Sequence, residues 1–177
     1  TTVTATVTTS SPATTATCSF TVTVKDNEPP TVTCPTPENP YSNDPGKCFA
    51  SLTFEVEAED NCGVGSMVYK VASNTISFPY EFPVGSTTVL ATVTDIHGNT
   101  KTCSFTVVVE DSEAPTVTCP TPDNPYTGEC YAELTFEVED ASDNCDIAST
   151  TFFVEDEEIE FPYNFPGGIT TVVVVVT

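Results

Sequence analysis

The stretch Thr87-Thr88-Val89-Leu90-Ala91-Thr92-Val93-Thr94-Asp95-Ile96-His97-Gly98-Asn99-Thr100-Lys101-Thr102-Cys103-Ser104-Phe105-Thr106-Val107-Val108-Val109 alternates apolar and polar residues on both sides of a turn. Period-two alternation rich in β-branched residues predicts two half-buried strands. Asp95, Gly98 and Asn99 supply the turn, since such residues accept the backbone that a hairpin demands. Val89, Ala91, Val93, Phe105, Val107 and Val109 are the expected inward residues, with Phe54 and Val56 from an earlier Phe-Glu-Val-Glu run.

The same words recur elsewhere in the chain. Cys18-Ser19-Phe20-Thr21-Val22 matches Cys103-Ser104-Phe105-Thr106-Val107, and Pro30-Thr31-Val32-Thr33-Cys34-Pro35 matches Pro115-Thr116-Val117-Thr118-Cys119-Pro120. Leu52-Thr53-Phe54-Glu55-Val56 returns as Leu134-Thr135-Phe136-Glu137-Val138, and Asp60-Asn61-Cys62 as Asp143-Asn144-Cys145. Phe78-Pro79-Tyr80-Glu81-Phe82-Pro83 returns as Phe161-Pro162-Tyr163-Asn164-Phe165-Pro166. Repetition at about 85 residues defines one supersecondary unit per period. Residues 1–27 read as the last two strands of a partial repeat, 28–111 as a complete repeat, and 112–177 as a repeat lacking its final strand. No stretch shows helical periodicity with caps. The expected fold is all-β: tandem Ig-like sandwiches of about seven short strands each, stapled by disulfides.

Four Lys plus Arg stand against 26 Asp plus Glu, a formal charge of −22. That field repels phosphate backbones and anionic membranes, which excludes nucleic acid as a partner. No apolar run long enough for a spanning helix is present, so membrane insertion is not expected. Eight Cys without a C-x-x-C metal motif point to disulfides and an extracellular or cell-surface location. The opening Thr1-Thr2-Val3-Thr4 reads as strand interior, which makes the chain a processed or partial product.

In order, Cys34-Pro35, Gly46-Lys47-Cys48, Asp60-Asn61-Cys62-Gly63, Phe82-Pro83-Val84-Gly85-Ser86-Thr87-Thr88-Val89, Thr94-Asp95-x-x-Gly98-Asn99 and Thr102-Cys103-Ser104-Phe105-Thr106-Val107 resemble the hyalin repeat, or HYR domain. The resemblance implies an extracellular Ig-like module with adhesive or structural roles and no catalytic residues. Two segments depart from it. Thr8 to Thr17 lacks the Asp, Gly and Asn of the turn, and Val172 to Val176 is a bland run.

First and last strands of a sandwich run side by side, which favours Cys34–Cys103. Cys48–Cys62 and Cys130–Cys145 follow by elimination. A straight strand over residues 49–56 would set its ends roughly 25 Å apart, beyond the reach of a disulfide. Cys34–Cys48 with Cys62–Cys103 therefore stays open. Cys18 and Cys119 lack partners within their repeats and are candidates for intermolecular bonds. Two arrangements follow: residues 14–26 of one copy complete the open sandwich of another, or the chain is a window on a covalent tandem array. Either builds a filament or stalk from copies of itself.

The linkers Lys25-Asp26-Asn27-Glu28-Pro29 and Glu110-Asp111-Ser112-Glu113-Ala114-Pro115 are acidic. Asp26, Glu28, Asp60 and Asp95 at the first, and Asp111, Glu113 and Asp143 at the second, are candidate oxygen ligands for Ca²⁺. The competing reading is a set of turn-forming acids in water. No other cofactor is expected. His97 is read as an exposed turn residue rather than a base or zinc ligand. Catalytic signatures are missing from the sequence, so no enzyme is expected. Tyr80, Phe82, Tyr163 and Phe165 are read as packing residues, with glycan stacking as the rival. Ser10, Ser11, Thr14 and Thr15 are candidate O-glycosylation sites in a Ser/Thr-rich loop. The alternative function is an adhesion or glycan-binding module of a larger surface protein.

Overall fold

The computed structural model describes residues 1–177 except 124, 125, 128 and 129, and contains no helix among the described residues. An N-terminal hairpin pairs β1 (Thr2–Thr8) with β2 (Thr15–Thr21). The central unit holds β3 (Thr31–Thr33), β4 (Tyr41–Ser42), β5 (Phe49–Leu52), β6 (Glu57–Glu59), β7 (Val64–Val71), β8 (Asn74–Ile76), β9 (Tyr80–Pro83), β10 (Gly85–Asp95) and β11 (Thr100–Glu110). The C-terminal unit holds β12 (Thr116–Thr118), β13 (Tyr131–Leu134), β14 (Asp140–Ser142), β15 (Thr150–Val154), β16 (Glu157–Ile159), β17 (Tyr163–Pro166) and β18 (Val173–Val176).

One central layer is the sheet β4-β11-β10-β7-β8, and the other comprises the pairs β3-β6 and β5-β9. The long hairpin β10–β11 sets the frame. Its register puts Val89 opposite Phe105 and Ala91 opposite Cys103. Val89, Ala91, Val93 and Val107 are wholly buried, as the alternation predicts. Val89, Ala91 and Val107 pack with Phe105 and Val109 against Ala50, Val56 and Phe82, whereas Val93 lies outside that main cluster. Full burial of each large apolar side chain contributes about 2 kcal/mol. Phe54 is half-buried and central to the aromatic packing, with Tyr41, Phe78, Phe82 and Phe105 at centroid distances of 5.2 to 6.1 Å.

The C-terminal unit repeats these pairings. β12-β14 copies β3-β6, β13-β17 copies β5-β9, and β16-β15-β18 copies β8-β7-β10. Register is preserved, since Val174 faces Phe152 as Ala91 faces Tyr69. Among the described residues, no strand lies along the other edge of β18.

Cys34 and Cys103 are bonded, with Cα atoms 5.9 Å apart. Cys48, however, bonds Cys145 of the following unit, Cα to Cα 4.8 Å. This replaces the expected Cys48–Cys62 and Cys130–Cys145 pairs, and leaves Cys62 and Cys130 as exposed thiols beside Cys18 and Cys119. Length explains the difference. Cys62 lies by the β10–β11 turn, and Cys48 lies near the far end of β11, where Asn43 accepts from Ser112. Eleven residues of β11 span roughly 33 Å at about 3.3 Å each. The two cysteines thus sit at opposite ends of one sandwich.

Candidate functional site: the acidic joints

The linker before β3 enters beside two loops of the central sandwich. Asp26 lies on the linker, Asp60 between β6 and β7, and Asp95 at the start of the β10–β11 turn. One carboxylate oxygen from each falls within 4.8 Å of the others. All three carboxylates also build the local backbone. Asp26 Oδ1 accepts from the Glu28 amide at 3.0 Å. Asp60 Oδ1 accepts from the Cys62 and Gly63 amides, both at 2.9 Å. Asp95 Oδ1 accepts from the His97 and Asn99 amides at 2.7 and 2.9 Å, and its Oδ2 from Asn99 Nδ2 at 2.7 Å.

The second oxygens of Asp26 and Asp60 are different. Both are buried without a hydrogen-bond partner. The Asp26 side chain is only 6 % exposed, and its Oδ2 lies 3.3 Å from His97 Nδ1. Desolvation opposes charge on Asp95, but donation from the Asn99 side chain and from the Asn99, His97 and Gly98 amides outweighs it and holds the carboxyl below its usual value. Desolvation, a hydrogen bond with Asp26 and the negative field of Asp26, Asp60 and Asp95 push the Cys62 thiol up. Gly65 lets β7 close on this end, since a Cβ there would meet the Asp95 carbonyl oxygen at 2.7 Å.

The second joint copies the first. Asp111 Oδ1 accepts from the Glu113 amide at 3.1 Å, and Asp143 Oδ1 from the Cys145 amide at 2.8 Å. Asp143 Oδ2 is again buried and unpartnered. Here the preceding sandwich is present, and it is gripped. Asn144 Nδ2 donates to the Lys47 carbonyl at 2.9 Å and to Asp111 Oδ1 at 3.3 Å. Glu113 Oε1 accepts from Gly46 N at 2.6 Å and from Asn43 Nδ2 at 3.2 Å. The Cys48–Cys145 bond crosses the same joint.

The HYR domain profile matches residues 25–109, the span that carries the first acidic joint, β3 to β11 and the Cys34–Cys103 bond. Residues 25–109 are a HYR domain. Two curated relatives support the assignment: the "Sushi, von Willebrand factor type A, EGF and pentraxin domain-containing protein 1" of Rattus norvegicus and that of Mus musculus. Each is 33% identical over 94 residues, 52% of this chain. The chain spans only 3% of the length of either relative.

Of the candidate ligands, the HYR domain brings Asp26, Asp60 and Asp95 together. Glu28 is exposed and lines a shallow cleft with Glu59, Asp60 and Asn61. Asp111 and Asp143 meet at the second joint, but Glu113 turns away to hold the loop of the preceding domain. His97 is a turn residue as expected, with the added contact to Asp26. Tyr80 and Tyr163 pack edge-on against Phe82 and Phe165 at 4.9 and 4.8 Å. Ser10, Ser11 and Thr14 lie in the exposed β1–β2 turn, where Thr14 Oγ1 is 2.7 Å from Thr9 Oγ1, and Thr15 opens β2. Sequence reasoning missed Asn43, Gly65 and Asn144. Only Asn144 had a legible signal, because Asn-Cys recurs after an Asp in both units.

Proposed function

We propose that this chain is a segment of an extracellular filament or stalk in which HYR sandwiches stack end to end and are stapled across each joint. The observation that carries the reading is the Cys48–Cys145 bond, which ties one sandwich to the next. The two free thiols at corresponding places extend it. Cys62 repeats the setting of Cys145, each with an Asn Nδ2 3.4 to 3.5 Å from its sulfur. Cys130 repeats that of Cys48, each offering its carbonyl to the residue after β9 or β17. In a stack, the Cys62 position bonds backward and the Cys130 position forward. Each bond oxidises two thiols, with two electrons passing to a disulfide donor of the oxidising compartment. The charge of −22 keeps neighbouring stalks apart.

A strand like β2 closes the sandwich left open at β18. The uncovered cleft there, about 700 Å³, is lined by Cys119, Leu134, Phe136, Phe152, Phe165 and Val174. The hairpin presents Val3, Val7, Phe20 and Val22, all exposed. Its register puts Val3 opposite Phe20 as Val89 lies opposite Phe105. Closure at β18 by another copy requires β2 to release β1, because both strands claim the same edge. A polypeptide continuing from a β18-type strand into its own β2-type strand needs no exchange, and the geometry favours that covalent array. In both cases Cys119 meets a Cys18-type thiol, as Cys34 meets Cys103.

Negative-stain microscopy with non-reducing peptide mapping tests the proposal. Linear assemblies carrying Cys62–Cys130 and Cys18–Cys119 links are expected. Isolated short rods with those four thiols free would sink it. That outcome would leave the second reading, an adhesive module of a larger protein, which the multidomain names of the relatives favour.

A further inference from the structure

We propose that the first joint is a calcium site, in which Asp26, Asp60 and Asp95 hold one ion that clamps the linker to the end of the HYR sandwich. This stands independently of how the stack is built. The starting point is an imbalance. Asp26 is more than nine-tenths buried, and its Oδ2 accepts no hydrogen bond of good geometry, although His97 Nδ1 lies 3.3 Å from it and the Cys62 thiol is close by. Asp60 Oδ2 is also buried without a hydrogen-bond partner. A buried carboxylate oxygen without a partner is costly, and a third carboxylate within 4.8 Å adds like-charge repulsion. A divalent cation removes both penalties at once. The Oδ1 atoms of Asp26, Asp60 and Asp95 are already spent on turn amides, which fixes the loops while one oxygen of each carboxylate stays within 4.8 Å of the others.

Repetition supplies the second argument. The Asp111–Asp143 pair at the next joint has the same amide-bound Oδ1 atoms and the same orphaned Asp143 Oδ2. It also chooses the metal. Asp26, Cys62 and His97 form a rival trio that would suit zinc. At the second joint the cysteine of that trio is Cys145, which is held in a disulfide and is no thiolate ligand. What both joints share is carboxylate oxygen, a hard donor. Calcium accepts irregular oxygen sets from flexible loops, whereas magnesium demands near-octahedral geometry and keeps its waters. The three ligands come from the linker, the β6–β7 loop and the β10–β11 turn, so one ion fastens three segments.

The test is thermal unfolding and calorimetry of the full chain, with CaCl₂, ZnCl₂ or EGTA. Calcium far above its dissociation constant should raise the midpoint of the HYR domain by roughly 5 °C. Asp60→Asn keeps Oδ1 for the turn amides and should abolish that shift while lowering the calorimetric stoichiometry by one. Should Asp60→Asn fold poorly, Asp26→Asn gives the same reading. His97→Gln and Cys62→Ser should retain the calcium shift. Identical midpoints in calcium and EGTA with no heat of binding overturn the proposal. So does a shift with zinc alone that disappears in His97→Gln and Cys62→Ser.

Discussion

The central HYR domain and the C-terminal unit use the same strand pairings in the same register, yet they bury their matching residues differently. Val89, Ala91 and Val93 on β10 are wholly buried. Val172, Val174 and Val176, which answer to them on and beside β18, are half-buried. The difference is β11, whose Phe105, Val107 and Val109 complete the core cluster. Alternation within a strand decides which side chains point inward. Whether the inside is dry depends on a strand that arrives last in sequence, and the Cys34–Cys103 bond pins that strand to the first.

Cutting the matching side chain from each unit should give the largest difference between them. Phe82 is fully buried, so Phe82→Ala should cost about 3 to 5 kcal/mol through lost transfer energy and a cavity. Phe165 faces the open cleft, and Phe165→Ala should cost about half as much, because the site is already partly wet. Native-state hydrogen exchange reads the two units separately. Equal costs would mean that the C-terminal core is as closed as the central one.

A somewhat smaller effect is expected from the staples. Removing the Cys34–Cys103 bond, which spans a sequence separation of 69, with paired serines should destabilise the HYR domain by about 3 to 4 kcal/mol. Cys119 is the counterpart of Cys34 but is free in the single chain, where Cys119→Ser should change chemical-denaturation stability by no more than about 0.5 kcal/mol. In assembled material carrying the proposed Cys18–Cys119 link, the same substitution should cost several times more.

Much of this was legible in the residues. The alternating runs marked β10 and β11, the repeated words marked the second set of strands, and parallel first and last strands marked Cys34–Cys103. The expected convergence of Asp26, Glu28, Asp60 and Asp95 came from loops at the end where the linker must enter, and three of the four do meet there while Glu28 stays exposed. The partner of Cys48 was not. Elimination within one repeat ignored the neighbour, although the length of the strand after Cys48 already argued against Cys62. The direction of Glu113 was hidden for a related reason. Sequence shows an acid in a linker, but which way it turns depends on the Gly46 and Asn43 donors of the preceding domain.

The smallest effect separates the two joints themselves. Asn43 is 7 % exposed, and its amide is fully used. Nδ2 donates to the Lys47 carbonyl and to Glu113 Oε1, while Oδ1 accepts from both the amide and the hydroxyl of Ser112. Truncation therefore strips the second linker of its anchor and leaves donors and acceptors unmatched, at a cost of about 1 to 3 kcal/mol. The loss should be local. The Ser112 amide should lose exchange protection in Asn43→Ala, because its acceptor is gone. The Glu28 amide at the first joint bonds Asp26 Oδ1 instead, and its protection should be unchanged. If both amides lose protection together, the two ends of the HYR domain are coupled through the sandwich. Stiffness of a stack would then belong to the whole domain rather than to each joint.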